Sequence, residues 1–281
     1  MRRRLPVLII LLLALLLPVA ACGGSKKADD AGPADTEAPA TTDAPDPWRT
    51  VVATASVAVV HVYENRPDGA GGGDTSVTAT DAAFTAKELP AIPRIGLNSA
   101  GMARTDDGYT YENPTYFKNP LVFVVTQDDG EWLKVRLQAR PNQSEGWIKR
   151  SDVTLSDIHT HIELVKSSFH LKAWDGDKLV AETDVVIGKD TTFTPVGTFY
   201  IAEKIEKSAG GAYGPWILAL NGYSESLDSF DGGMPQLAFH GTNKPELIGT
   251  QASNGCVRMP DAIDQMLAAQ MPPGTPITIS A

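Results

Sequence analysis

Residues 237–259 read Leu-Ala-Phe-His-Gly-Thr-Asn-Lys-Pro-Glu-Leu-Ile-Gly-Thr-Gln-Ala-Ser-Asn-Gly-Cys-Val-Arg-Met, with an imidazole at His240 and a thiol at Cys256. A thiol needs a nearby base to become a nucleophile at neutral pH, and histidine is the side chain best matched to that task. The apolar residues 237–239 predict the end of a buried strand, and an amphipathic helix is predicted from Pro260 onward. The two groups are therefore expected to meet where a sheet edge adjoins the start of a helix.

The array His-Gly-Thr at 240–242, followed by Ser-Asn-Gly-Cys-Val-Arg at 253–258, closely resembles the signature of the L,D-transpeptidase catalytic domain family. These are cysteine enzymes that cross-link bacterial peptidoglycan. The resemblance extends back through Thr-Pro-Val-Gly-Thr-Phe at 194–199 and covers roughly the last 120 residues. One position differs, because Asn254 stands where many members carry a histidine.

The site residues follow from the residue types and from this resemblance. His240 is expected to take the proton of Cys256, and the resemblance implies that a backbone carbonyl at or next to Gly241 orients the imidazole. The amides of Gly255 and Cys256 are the natural oxyanion donors, because a glycine lets the backbone approach the substrate oxygen closely. The candidate substrate contacts are Arg258, Ser253, Asn254, Tyr213 and Trp216.

Most of these contact residues also have a structural alternative. Arg258 can hold a substrate carboxylate or form a structural ion pair. Ser253 can fix its turn through a bond from its hydroxyl to the backbone, which is favoured over a direct substrate contact. Tyr213 and Trp216 can line the substrate groove or pack against the sheet.

The resemblance implies a reaction on peptidoglycan stem tetrapeptides. Cys256 forms a thioester with loss of the terminal D-Ala, and the side-chain amine of a diamino acid in a neighbouring stem peptide then takes the acyl group, giving a 3-3 cross-link. No cofactor or metal is required, and carbapenem-type inhibitors are expected to acylate Cys256. Attachment of a protein to peptidoglycan and hydrolysis through the same thioester remain open, as does a non-catalytic, lipid-anchored module that binds the cell wall.

The N-terminus predicts export and lipid anchoring. Three arginines at positions 2–4 precede an apolar run, Leu5 to Leu17, that is too short to span a bilayer. Small residues before Cys22 suit a signal peptidase, and a cysteine in this position resembles the bacterial lipobox. Residues 1–21 are therefore predicted to be a lipoprotein signal peptide, with lipid on Cys22 and the protein held at the outer face of the cell membrane or in the cell envelope. Cys256 is then the one thiol left.

Composition limits the partners and predicts a tether. The chain has 24 Lys and Arg against 34 Asp and Glu, for a net charge of −10. An acidic surface argues against nucleic acid and against anionic headgroups as partners, so the membrane contact is expected to come from the lipid. Residues 22–47 are rich in Ala, Asp, Pro and Thr and lack aromatic residues, which predicts a disordered tether.

Residues 48–155 predict a small antiparallel barrel. Short strand candidates lie close together, with turn residues such as Asp128-Asp129-Gly130 between two of them. Gly-Glu-Trp-Leu-Lys-Val at 130–135 and Gly-Trp-Ile at 146–148 resemble bacterial SH3-like domains. The expected fold class of the whole chain is mainly β, with this SH3-like domain preceding the catalytic domain.

Residues 156–281 predict the catalytic domain, a β-sandwich or sheet with one bracing C-terminal helix. Strands are expected over 159–165, 168–174, 179–187 and 276–280, and the helix from Pro260 to about Gln270 with Ile263, Met266 and Leu267 on one face. His159 and His161 share a strand face, but no Cys or acidic ligand completes a zinc pattern. A solvated face is therefore the favoured interpretation of these histidines.

Overall fold

The computed structural model describes residues 46–69 and 101–281. The predicted signal peptide, Cys22 and the tether up to residue 45 lie outside these residues. Over the described residues the fold is mainly β, with 48% strand and one α-helix, as the sequence predicts. Within the described residues no helix is long and apolar enough to cross a membrane.

The N-terminal sheet contains eight strands in the order β3-β4-β2-β7-β6-β5-β1-β8. In β2 exposed and buried side chains alternate, so that one face of the strand covers a core, whereas β6 buries both Trp132 and Leu133 at its start. Their bounds are β1 Thr50–Ala55, β2 Val59–Tyr63, β3 Ala103–Thr105, β4 Gly108–Glu112, β5 Val122–Asp128, β6 Trp132–Arg136, β7 Glu145–Lys149 and β8 Val153–Ile158.

The C-terminal sheet also contains eight strands, in the order β11-β10-β9-β18-β13-β14-β15-β17, and β12 and β16 form a separate two-stranded sheet. Four 3-10 turns lie at Arg150–Asp152, Lys166–Ser168, Asp190–Thr192 and Pro245–Leu247. The strand bounds are β9 Thr160–Val165, β10 His170–Asp175, β11 Lys178–Asp184, β12 Ile187–Gly188, β13 Gly197–Glu206, β14 Trp216–Tyr223, β15 Gln236–His240, β16 Gln251–Ser253, β17 Val257–Arg258 and β18 Pro276–Ser280.

Helix α1 spans Asp261–Gln270, and Pro260 is its N-cap residue. Its inner face carries Leu267 and Ala268, which belong to the core of the C-terminal sheet. Met266, predicted for this face, is 37% exposed, and a fully buried carboxyl, Asp264, points inward instead. The helix therefore braces the sheet as expected, but it delivers an acidic group into the protein.

The two sheets have separate cores that meet at a third cluster. Val52, Val122 and Val124 of the N-terminal sheet pack there against Tyr200 and Ala202 of β13. The described residues all belong to one compact unit. The boundary predicted at 155/156 falls inside β8, which pairs with β1 along its whole length. The SH3-like character of the first sheet stays a prediction.

Candidate functional site

A short parallel strand pair brings His240 and Cys256 to the same edge of the C-terminal sheet. β15 ends at His240 and pairs with β17, with His240 opposite Arg258. Cys256 immediately precedes β17, so the chain returns to the end of the strand that carries the imidazole. The described part of the chain contains one free cysteine, and Cys256 is partly exposed.

The backbone fixes the orientation of His240. The side chain is 3% exposed, and its Nδ1 lies 2.6 Å from the carbonyl oxygen of Gly241. A carbonyl only accepts hydrogen bonds, so Nδ1 must carry the proton and Nε2 keeps its lone pair. The ring of Tyr213 meets the imidazole edge-on, with 5.0 Å between ring centroids. The arrangement presents a neutral imidazole with a basic Nε2.

Burial keeps both reactive groups uncharged. It lowers the pKa of His240 to about 4, against a smaller opposing effect of the Gly241 hydrogen bond, and Arg258 lowers it further. Burial raises the pKa of Cys256, whereas a backbone hydrogen bond from Ala238 and the charge of Arg258 lower it. At neutral pH the resting pair is therefore a thiol and an imidazole rather than an ion pair.

A tight turn at residues 253–256 presents the thiol. The hydroxyl of the fully buried Ser253 donates to the Cys256 carbonyl at 2.6 Å and accepts from the Gly255 amide at 3.1 Å. Gly255 has φ +119°, a conformation that side-chain-bearing residues rarely adopt. The Gly255 carbonyl accepts a hydrogen bond from the hydroxyl of Thr194 at 2.8 Å. Ser253 thus fixes the turn, and the Gly255 amide, expected as an oxyanion donor, is already engaged.

A cavity of about 240 Å³ opens beside the thiol. Of the residues predicted for the site, it is lined by Cys256, His240, Arg258, Asn254 and Tyr213. Its remaining walls are Ala212, Ser224, Leu227, Phe230, Pro235, Gln236, Leu237, Asn243 and Lys244. The lining joins an apolar wall to amide and cationic groups, which suits a peptide that carries a carboxylate.

Trp216 is not among the residues that line this cavity, and its contacts correspond to the packing role left open for it. It begins β14, packs against the core of the C-terminal sheet, and donates its amide to Asp264 at 2.9 Å. None of the residues 194–199 of the resembling motif lines this cavity either. The predicted site residues therefore fall into two groups. The lining set borders the cavity, and the supporting set holds the backbone of the residues that do.

The supporting set includes two acidic residues that sequence reasoning did not single out. Asp261 accepts the amide of Thr242 at 2.9 Å, and Asp264 accepts backbone hydrogen bonds from Trp216 and Gly241. Burial raises the pKa of Asp264 to about 7. The signal available in the sequence was an acidic residue on the apolar face of α1. Together these carboxyls hold the backbone behind His240.

The histidines of β9 and β10 have structural roles. The His161 ring stacks on the rings of Trp48 and Trp174 with nearly parallel planes. Its centroid lies 4.2 Å from the ring centroid of Trp48 and 4.9 Å from that of Trp174. Its face is therefore covered rather than solvated, because Trp48 arrives from the segment before β1. His170 instead lies between Glu182 and Asp184 at hydrogen-bond distance. Among the described residues no group of three or more His, Cys, Asp or Glu is placed to hold a metal.

Sequence comparison identifies what this part of the chain is similar to. Residues 159–279 match the YkuD family model, the L,D-transpeptidase catalytic domain, over less than half of the chain. A Bacillus subtilis (strain 168) protein that bears the name L,D-transpeptidase YkuD is 29% identical over 150 residues, which cover 51% of this chain and 84% of that protein.

The chain was also compared with solved structures, and the similar structures include L,D-transpeptidases. A crystal structure of a mutant Enterococcus faecium L,D-transpeptidase is 23% identical, covers 43% of this chain and 49% of that chain, and has a TM-score of 0.34. This chain therefore spans about half the length of that protein. The catalytic domain of an E. faecium L,D-transpeptidase acylated by ertapenem is 25% identical and has a TM-score of 0.32, and the match covers 43% of this chain and 95% of that chain. The segment that contains the cavity, His240 and Cys256 is thus the segment that matches the YkuD L,D-transpeptidase catalytic domain.

Proposed function

We propose that the protein is a cysteine acyltransferase, an L,D-transpeptidase that acts on peptidoglycan stem peptides. The observation that carries the proposal is the orientation of His240. Its Nδ1 faces the Gly241 carbonyl, so its free Nε2 is available to the cavity that His240 shares with Cys256. The family match of residues 159–279 supports the same reaction class.

The first half-reaction forms a thioester. As the sulfur of Cys256 attacks a peptide carbonyl, Nε2 of His240 takes the thiol proton, because both groups rest uncharged. The tetrahedral intermediate collapses with cleavage of the C–N bond, and the imidazolium returns the proton to the departing amine. The expected leaving group is the terminal D-Ala of a tetrapeptide donor, and the Cys256 amide is the expected oxyanion donor.

The second half-reaction transfers the acyl group to an amine. The side-chain amine of a diamino acid in a second stem peptide attacks the thioester, and His240 takes a proton from the attacking amine. The C–S bond breaks and the thiol is restored. Arg258 lines the cavity beside Cys256 and is suited to hold a carboxylate of the donor peptide.

Export and lipid anchoring through Cys22 would place this site beside the cell wall. The SH3-like N-terminal domain and the tether of residues 22–47 complete this proposal. A wall-binding protein without catalysis has no need of a base beside its thiol, so reactivity of Cys256 distinguishes the two functions.

Intact-protein mass spectrometry of the full chain tests the proposal. A carbapenem is expected to give one stoichiometric adduct, and Cys256→Ala is expected to give none. The acylated protein identifies the nucleophile, and a tetrapeptide donor with a diamino-acid acceptor then identifies the reaction. An unmodified protein that forms no adduct, with a thiol unreactive towards iodoacetamide, would instead favour the wall-binding function.

A further inference from the structure

The wall of the catalytic cavity includes a long loop from the C-terminal sheet. We define the cleft loop as residues 224–235, between β14 and β15. Ser224, Leu227, Phe230 and Pro235 of this loop line the cavity beside Cys256. Phe230 also lines a second cavity of about 190 Å³, where it faces Phe117 of the N-terminal half. The position of the cleft loop therefore sets the shape of the space in front of the thiol.

The cleft loop has few bonds of its own. Its two ends are joined by the Ser224 amide and the Pro235 carbonyl at 2.8 Å, and its tip is closed by the pair Phe230 and Gly233. Residues 225, 226 and 228–232 are exposed. In its first half the Ser224 hydroxyl accepts the amides of Ser226 at 3.3 Å and Leu227 at 3.2 Å, which forms a local turn. These bonds lie within the loop, so partners from elsewhere are needed to anchor the turn to the rest of the fold.

Those partners come from the N-terminal sheet. We define the brace as residues 137–144, the connection between β6 and β7. One guanidinium nitrogen of Arg140, Nη2, donates to the carbonyls of both Ser224 and Leu227, each at 2.6 Å. Because these carbonyls are three residues apart, a single charged group fixes the curvature of the loop between them.

Asn142 holds the residue at which β14 enters the cleft loop. Its side-chain oxygen accepts the Tyr223 amide at 2.8 Å, and its side-chain nitrogen donates to the Tyr223 carbonyl at 2.8 Å and to Glu225 at 3.0 Å. The side-chain amide of Asn142 thus makes the two hydrogen bonds to the Tyr223 backbone that a neighbouring strand would make. Burial lowers the pKa of Arg140, while the charges of Asp228 and Glu225 on the loop favour its cation.

We propose that the brace is part of the catalytic unit, and that Arg140 and Asn142 are positioning residues that preform the cavity wall for a bulky acyl donor. This proposal rests on the proposed function for the identity of the donor, but not for its geometry. A loop released from the brace would spend less time in the conformation that admits a large ligand, and the apparent rate of reaction with such ligands would fall in proportion. A small reagent needs only the thiol, so its rate would change little.

The test compares three probes of Cys256 in the full chain. Iodoacetamide is small, an aromatic disulfide such as 5,5′-dithiobis(2-nitrobenzoate) is bulky and independent of acyl transfer, and a carbapenem requires acylation. The variants are Arg140→Ala, Asn142→Ala and the conservative Arg140→Lys. Arg150→Ala is the matched control, since Arg150 bonds Asp128 on the same sheet and makes no contact with the cleft loop.

We expect Arg140→Ala and Asn142→Ala to slow the two bulky probes on the order of tenfold, the loss expected from removing a charge-assisted or paired hydrogen bond. Iodoacetamide should change less than twofold, Arg140→Lys should recover part of the loss, and Arg150→Ala should match the unmodified protein. Hydrogen exchange should show loss of protection at the Tyr223 amide in Asn142→Ala.

Equal rates for all probes in the two alanine variants would overturn the proposal, as would equal slowing of bulky and small probes. If Arg140→Ala does not fold, Arg140→Lys and Asn142→Ala decide the outcome. Failure of the proposed function has a different signature, in which the carbapenem leaves the unmodified protein unreacted while the aromatic disulfide still reports on the brace.

Discussion

The two eight-stranded sheets differ in the direction of their strand pairings, and this difference bears on the candidate site. Among the described residues, every pairing in the N-terminal sheet is antiparallel, whereas the C-terminal sheet contains two parallel pairs, β9 with β18 and β15 with β17. The N-terminal sheet leaves His61 exposed, and the C-terminal sheet buries His240 at the end of a parallel pair. A parallel pair joins residues that are distant in the chain, which is how a thiol and an imidazole come to share one cavity.

The largest effect is expected from removing the buried imidazole of His240, which has no counterpart in the exposed His61 of the N-terminal sheet. His240→Ala takes away the base for Cys256, and we expect carbapenem acylation to fall by about 10²- to 10⁴-fold. The rate of iodoacetamide alkylation at strongly alkaline pH should stay within a few-fold of the unmodified protein, because hydroxide then removes the thiol proton. A loss of acylation smaller than tenfold would show that His240 is not the base.

A smaller effect is expected when the backbone behind the imidazole is displaced. A Cβ at Gly241 would lie 2.3 Å from Oδ1 of Asp261 and 2.8 Å from the Cα of Gly214, so Gly241→Ala must shift the carbonyl that orients His240. We expect a loss of about 1–3 kcal/mol in the free energy of unfolding, measured in urea, together with slower acylation. Gly211→Ala is the matched control, because a Cβ there meets only the Ser208 carbonyl, at 3.4 Å. Equal stability of the two variants would contradict the prediction.

The pH dependence of stability sharpens the comparison further. The pKa of Asp264 is about 7 in the folded protein and near 4 when unfolded, so the folded state holds a proton that the unfolded state releases between these values. Its contribution to stability is therefore lost as pH rises from about 4 to 7. Asp264→Asn removes this pH-dependent loss of stability. The thermal midpoint of the variant minus that of the unmodified protein should therefore increase by a few degrees as the pH rises from about 4 to 7.

Buried His240 affects the pH dependence of stability with the opposite sign. Its pKa of about 4 lies below the unfolded value, so the unfolded state binds more protons and stability rises with pH between about 4 and 6.5. Because both proteins in the Asp264→Asn comparison retain His240, this effect cancels in the difference. A difference in midpoint that stays constant from pH 4 to 8 would rule out a raised pKa for Asp264.

The smallest effect is expected at the junction of the two halves. His161→Ala removes the ring between Trp48 and Trp174 and should lower the free energy of unfolding by about 0.5–1.5 kcal/mol, whereas His161→Phe should retain most of the stability. The measurement is thermal unfolding with and without added zinc. Carbapenem acylation should be unchanged, and a zinc-dependent midpoint would point to a metal role in place of the stacking role.

Local sequence patterns predicted the elements whose signals are short in range. The strand over 276–280 has the predicted bounds, and the helix begins one residue after Pro260. Turn residues and alternation act within a few positions, and these elements depend on little else. The proximity of His240 and Cys256 was predicted from the strand before His240 and the helix after Cys256, and the family motif supported it. The parallel pair itself was not predicted, because spacing alone does not indicate one.

The elements that were missed depend on long-range contacts. β14 is buried along nearly its whole length and includes the polar Asn221, so it shows no alternation. Asn221 is tolerated there because it accepts the Tyr200 amide at 2.8 Å and donates to the Leu137 carbonyl at 3.1 Å. The brace was missed for the same reason. Arg140 and Asn142 lie about 80 residues from their partners, and nothing near them in sequence indicates those partners.

The place of β18 in the C-terminal sheet governs the order in which that sheet can be assembled. The strand closest to the end of the sequence lies between β9 and β13 and pairs with both. Until β18 has left the ribosome, β9 and β13 each present an unpaired edge with no neighbour to cover it. Assembly of the C-terminal sheet therefore follows synthesis of β18, and the pairing of strands distant in sequence predicts slow folding.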